Sequence, residues 1–174
     1  MEGNGLKIVA SVGLVLGGAM GIAGTFAPTV ALRGLLWGID GTSLVIAVSL
    51  LALIFLRAGY DQIAAGFIVF GFGQSLVLAS AGMTLEAGAP IFGAGMALWA
   101  AGLTLISLSG TFPLFVRILG LAAAFVIAIP SVEILLGEPV TALSKPLPFD
   151  AYPVLVATML AWVWTLWKRA PAID

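Results

Sequence analysis

The feature that most constrains this chain is a series of long apolar stretches separated by short breaks rich in glycine and proline. Because an α-helix rises 1.5 Å per residue, about 20 apolar residues cross the ~30 Å hydrocarbon core of a bilayer. Backbone polar groups inside a bilayer must bond within their own segment, so each stretch is predicted to be a helix. The predicted helices are Leu6–Phe26, Ala31–Leu56, Gln62–Leu85, Ala89–Leu108, Leu114–Leu136 and Ala151–Trp167.

The composition is that of a protein embedded in lipid. Hydrophobic residues make up 61% of the 174 residues and charged residues only 9%. A soluble domain carries about a quarter charged residues and buries only about 70% of its unfolded surface at this size. We therefore expect one integral membrane domain over residues 1–174, an all-α polytopic transmembrane bundle of about six spanning helices, with the lipid bilayer as a partner.

Several classes of function are disfavoured by what the sequence lacks. The formal net charge is −1, whereas proteins that bind nucleic acid carry an excess of basic residues, so no nucleic-acid partner is expected. The chain has no cysteine and no histidine, which excludes thiolate and imidazole metal ligands and any histidine-based catalytic machinery. We expect no metal, no cofactor and no enzymatic activity.

The basic residues predict an orientation, because cytoplasmic loops carry an excess of Lys and Arg. With a cytoplasmic N-terminus, six spans also place the C-terminus in the cytoplasm. The cytoplasmic basic residues are then Lys7, Arg57, Arg117, Lys168 and Arg169, against Arg33 and Lys145 outside. We expect a bacterial cytoplasmic membrane and a first helix that is retained rather than cleaved as a signal peptide.

Two further features concern the ends of the bundle. Trp162, Trp164 and Trp167 precede Lys168, a pattern that predicts an interfacial aromatic belt. The connection 138–150 contains three prolines, which predicts an ordered outer loop.

A short motif occurs twice. Gly24-Thr25-Phe26-Ala27-Pro28 is followed by Arg33, and nearly half of the chain later Gly110-Thr111-Phe112-Pro113 is followed by Arg117. Three helices per half would give halves of opposite orientation, as in the inverted repeats of secondary transporters. The sequence therefore suggests a weak inverted repeat, 1–87 and 88–174. The alternative is a chance match between two turns.

Small residues form stripes along three predicted helices. Gly13, Gly17, Gly21 and Gly24 lie on one face of the first helix, where missing side chains let a second helix approach closely. We expect these four glycines to pack helices within the chain; a homo-oligomer seam or a face that docks partner subunits is the alternative. Similar stripes are Gly71, Ser75 and Ala79, and Gly93, Ala97 and Ala101.

Asp40 is the most informative polar residue. A carboxylate in the apolar zone costs a few kcal/mol and should face protein or a water-filled cavity. Arg33 lies two turns earlier on the same helix face, so the pair can bracket a small ligand. The alternative is that the span begins near Gly41, which would leave Asp40 at an interfacial helix start.

Glu133 and Gln74 are predicted to join Asp40 in one vestibule. Glu133 follows Pro130 near the outer end of the fifth helix, and Gln74 lies deeper on the third. The alternatives are an interfacial position for Glu133 and a cross-helix hydrogen bond for Gln74.

Two functions fit these observations. The first is a small permease or channel-like protein for a small solute or protons, with a polar lining of Asp40, Glu133, Gln74 and Arg33. The second is a non-catalytic structural or assembly subunit of a larger membrane complex, docked through its glycine-lined faces.

Overall fold

The computed structural model describes residues 2–138, 142–144 and 151–168. Over these ranges the regular elements are six helices, which confirms the all-α class. Five of them, α1 to α5, are long and apolar enough to cross a membrane. The sixth has 17 residues and is about 25 Å long. The helices are α1 Glu2–Thr25, α2 Val30–Arg57, α3 Asp61–Ser80, α4 Leu85–Leu108, α5 Leu114–Leu135 and α6 Tyr152–Lys168.

Helix α2 begins well before Asp40. The Thr29 hydroxyl caps the helix by accepting a hydrogen bond from the Leu32 N–H at 3.2 Å. Asp40 consequently lies about 15 Å along the axis from the first residue, Val30. The alternative in which this helix begins near Gly41 is therefore wrong, and Asp40 is an interior residue of α2.

The turn between α3 and α4 differs from the predicted one. The chain leaves α3 after Ser80 and re-enters a helix at Leu85, so the turn is 81–84 and the connection predicted at 86–88 is helical. The Gly88 N–H donates to the Thr84 carbonyl at 2.7 Å, which shows that α4 is formed before Pro90. Pro90 removes only the bond to the carbonyl of Glu86, an exposed residue whose carbonyl other donors can reach.

The helices form a closed ring. Each helix packs against the next in sequence, and α6 packs back against α1. At one end of the ring, α1, α3 and α5 finish and α2, α4 and α6 begin; we call this the cavity end, and the other the opposite end.

Two pairs of glycines bring α3 and α4 into backbone contact. A Cβ atom added at Gly73 would lie 2.6 Å from the Gly95 carbonyl oxygen, and one at Gly102 would lie 2.7 Å from the Gly66 carbonyl oxygen. Neither predicted stripe forms this contact. Ser75 and Ala79 of one stripe, and Ala101 of the other, are exposed.

The glycine face of α1 packs inside the chain. A Cβ atom at Gly13 would lie 2.9 Å from the Ala47 Cβ, and one at Gly17 would lie 2.6 Å from Leu44. Closer to the cavity end, Gly21 lies against Tyr152 and Gly24 against Trp37. Helices α2 and α6 thus pack against this face within the chain.

An aromatic cluster fills the centre of the ring between the cavity and the opposite end. Its rings contact one another at centroid distances between 5.0 and 6.1 Å. Trp162 is its central member and is only 1% exposed, so it does not belong to the predicted belt, unlike the exposed Trp164 and Trp167. The aromatic cluster consists of Phe55, Phe67, Phe70, Trp99, Phe112 and Trp162.

The two turns of the suggested repeat share one interaction and differ in another. Arg33 donates from Nη2 to the Ala27 carbonyl at 3.2 Å, and Arg117 donates from Nε to the Ser107 carbonyl at 2.9 Å. However, Phe26 is exposed whereas Phe112 is buried in the aromatic cluster. The inverted repeat stays a prediction.

Some predictions fall on residues outside the described ranges. These are Lys145, Arg169 and most of the proline-containing loop 138–150.

Candidate functional site

A cavity of about 330 Å³ lies in the centre of the ring at the cavity end. All six helices contribute to its wall, and the exposed residues Met83 and Thr84 extend it to the surface at the α3–α4 turn. Its volume is at the lower end of the range for small-molecule sites and corresponds to about eleven water molecules. The wall is mainly apolar and includes Trp37, Val77, Leu78, Phe92, Met96, Ile127 and Leu155.

Asp40 and Tyr152 form the central polar contact in the wall. The Tyr152 hydroxyl donates to Asp40 Oδ2 at 3.0 Å, joining α6 to α2. Asp40 is only 7% exposed, and its Oδ1 is buried without a hydrogen-bond partner among the described residues. One carboxylate oxygen of Asp40 is thus hydrogen-bonded within the protein, and the other has no partner among the described residues.

Gln74 and Trp99 also present polar atoms without partners. Gln74 is 2% exposed and Trp99 is 6% exposed, and both line the cavity. Within the described part of the chain, neither Gln74 Oε1 nor Trp99 Nε1 has a hydrogen-bond partner. A buried polar atom without a partner costs about 1–3 kcal/mol, and three of the residues that line this cavity carry such an atom.

The structure brings together only part of the predicted lining. Asp40 and Gln74 line the cavity, whereas Arg33 and Glu133 lie outside its wall. Arg33 packs over the Trp37 ring, with its guanidinium carbon 5.9 Å from the ring centroid. Glu133 is half-buried near the end of α5, where its backbone carbonyl accepts from the Glu138 N–H at 3.0 Å.

Three residues of the site were not predicted from the sequence. Tyr152 lies 112 residues from Asp40, and Trp99 lies on a helix with no charged side chain near it. Trp37 precedes Asp40 by about one helical turn, so its position in the sequence places it on the same side of α2 as Asp40. Its Nε1 donates to the Gly21 carbonyl at 3.3 Å and fixes the ring against α1.

Gly21 leaves room for the Tyr152 hydroxyl, so we expect Gly21→Ala to displace Tyr152 and to lower the free energy of unfolding by about 1–3 kcal/mol. An added Cβ would overlap the hydroxyl oxygen and lie 2.7 Å from Tyr152 Cε1. Reversible unfolding in detergent, followed by circular dichroism, measures the loss.

A double-mutant cycle with Tyr152→Phe tests the cause. Because Phe lacks the overlapping oxygen, Gly21→Ala should cost at least about 0.5 kcal/mol less in that background. Gly5→Ala is the control on the same helix, since an added Cβ there has no atom within 4 Å. Full additivity of the two substitutions would contradict the proposed contact.

Comparisons with known proteins add no functional information. No family model matches the chain, and searches of curated proteins and of solved structures found no similar protein. Within the described residues, no group of three or more acidic side chains is arranged to hold a metal ion. The cavity and its polar atoms are therefore the basis for a functional proposal.

Proposed function

We propose that this membrane protein is a small-solute permease and that the cavity is its solute-binding site. One observation carries the proposal: Asp40 and Gln74, on different helices, are both buried, both line the same cavity, and each has a side-chain oxygen without a hydrogen-bond partner among the described residues. Such atoms are costly within a bilayer unless a ligand or water binds them.

The distribution of charge supports a cavity that opens away from the cytoplasm. Among the described basic residues, Arg33 is at the cavity end, and the others are at the opposite end. By the positive-inside rule the opposite end is cytoplasmic, as are both termini if α6 also spans the bilayer. The basic residues at the opposite end are Lys7, Arg57, Arg117 and Lys168.

The aromatic cluster favours a permease over an open channel. It fills the centre of the ring between the cavity and the opposite end, and Phe67, Phe70 and Trp162 within it are almost completely buried. A solute that enters the cavity thus meets packed side chains rather than a pore. Passage requires the helices to separate around Trp162, which is the alternating access of a carrier.

Uptake into proteoliposomes tests this proposal. A panel of radiolabelled amines, alcohols and carboxylates of roughly ten non-hydrogen atoms matches the cavity volume. We expect at least one member to be taken up faster than by protein-free liposomes. Asp40→Asn and Gln74→Leu should each reduce this uptake about tenfold or more, because each removes a group that binds solute.

Glu86→Gln is the matched control, because Glu86 is exposed on α4 and does not line the cavity. It should leave uptake unchanged. Transport that is insensitive to both cavity variants would eliminate the cavity as the site. No transport of any solute, together with a stable heteromeric complex after purification in mild detergent, would support the assembly-subunit alternative instead.

A further inference from the structure

We infer that the cavity selects a small organic ammonium ion, namely a primary amine carried on an apolar or aromatic body. The inference rests on the proposed solute-binding function and names the class of solute. It follows from the hydrogen-bonding character of the unpaired atoms, from the charge of the wall and from its aromatic side chains.

The unpaired oxygens require a ligand that donates hydrogen bonds. Asp40 Oδ1 and Gln74 Oε1 are acceptors, and the Tyr152 hydroxyl hydrogen is already committed to Asp40 Oδ2. A primary ammonium group has three N–H donors and no acceptor, so its hydrogen-bonding character is complementary to that of these two oxygens. A ligand head group made only of acceptors, such as a quinone carbonyl or a carboxylate, leaves both oxygens unpaired.

The acidic side chain in the cavity wall favours a cationic ligand. Asp40 is the only acidic or basic residue among the described residues that line the cavity. The nearby Arg33 lies outside the wall, and its Nη2 donates to the Ala27 carbonyl. A buried carboxylate is stabilised by a cation that both neutralises it and donates to it, and such charge-assisted hydrogen bonds are roughly twice as strong as neutral ones.

Aromatic side chains provide the rest of the site. Trp37, Phe92, Trp99 and Tyr152 all line the cavity. Aromatic walls bind organic cations through the ring quadrupole and bind apolar bodies through their large contact area. Trp99 Nε1 is a donor without a partner among the described residues, so a hydroxyl or carbonyl oxygen on the body of the amine has a place to bind.

Three probes with one ring and different head groups test the inference: 2-phenylethylamine, 2-phenylethanol and phenylacetate. Each is titrated against the purified protein in nanodiscs and against empty nanodiscs, with binding read by calorimetry and tryptophan fluorescence. We expect the amine to bind about tenfold or more tightly than the alcohol, and phenylacetate to bind most weakly.

Asp40→Asn tests the contribution of the negative charge to binding, because asparagine has no charge but keeps an oxygen acceptor and a similar side-chain volume. It should abolish most of the preference for the amine over the alcohol, whereas Glu86→Gln should preserve it. If Asp40→Asn does not fold, the order of the three probes on the unsubstituted protein decides the question.

The outcomes distinguish this inference from the permease proposal. Equal or tighter binding of the alcohol or of phenylacetate would overturn the ammonium selectivity while supporting a solute-binding cavity. Failure of all three probes to bind would also overturn the ammonium inference, and the uptake panel would then decide the permease proposal independently.

Discussion

Replacing Trp162 by alanine is expected to lower the free energy of unfolding by about 3 kcal/mol or more, because it opens a large void in the centre of the ring. Trp162 is 1% exposed, and its ring packs edge-on against Phe67 at 5.0 Å and Phe70 at 6.1 Å between centroids. Lipid cannot fill a void enclosed by helices, so these dispersion contacts are lost without replacement. Reversible unfolding by SDS in mixed micelles, monitored by circular dichroism, measures the loss.

Trp164→Ala is the matched control for this substitution. Trp164 lies half a turn further along α6, is exposed, and contacts only Phe115 among the aromatic rings of the described residues, at 5.5 Å. Detergent or lipid covers the site of the missing ring, so the loss should be about 1 kcal/mol or less. Similar losses for the two substitutions would mean that Trp162 is at the lipid boundary and that the aromatic cluster does not close the centre of the ring.

The second large effect is expected at the α3–α4 contact, where Gly73→Ala and Gly102→Ala should each destabilise the protein by about 1–3 kcal/mol. The added methyl groups would meet backbone carbonyl oxygens at 2.6 and 2.7 Å. Backbone cannot move aside as the end of a flexible side chain can, so α3 and α4 must separate along their length. The same unfolding assay measures each single variant and the double variant.

Gly34→Ala and Gly38→Ala on α2 are the controls, since an added Cβ at either position has no atom within 4 Å. Alanine favours a helix by about 0.8–1.0 kcal/mol over glycine, so these variants should be neutral or slightly stabilised. If the α3 and α4 variants behaved like the controls, the close backbone contact between the two helices would be disproved.

The helices were predictable because a bilayer permits few alternatives. The required length and the need for internal backbone bonds define each apolar stretch, and the predicted bounds of α2 and α5 differ from the observed ones by one residue at most. The predicted α3–α4 turn lies several residues too late because Gly88 and Pro90 are residue types that favour a turn. Proline within a helix removes one backbone bond, and near the start of α4 that bond is dispensable.

Which face of a helix packs against a neighbouring helix was harder to predict than where the helix begins and ends. Four-residue spacing of small residues includes glycines that pack against a neighbouring helix, Gly17 on α1, Gly71 on α3 and Gly93 on α4, but it does not include the contact between α3 and α4. The glycines in contact there, Gly66 with Gly102 and Gly73 with Gly95, repeat every two turns. Which of several small-residue faces meets a neighbour depends on helices distant in sequence, and one sequence does not contain that information.

The site residues that could be predicted are the polar residues whose position along a helix places them deep in the apolar zone. Asp40 and Gln74 are polar residues far from any helix end, and both line the cavity. Glu133 is near the end of α5, where depth does not determine the direction of a side chain, and it lies outside the wall. The contact between Tyr152 and Asp40 depends on closure of the ring by α6, which no local pattern indicates.

One helix carries both the hydroxyl that donates to Asp40 in the cavity wall and the central ring of the aromatic cluster. Tyr152 and Trp162 are about 15 Å apart along α6, joined by continuous helix. A rigid rod cannot shift one of these groups and leave the other in place. Tilting of α6 that loosens Tyr152 from Asp40 therefore also withdraws Trp162 from Phe67 and Phe70, so that the polar contact in the cavity wall and the packing of the aromatic cluster change together.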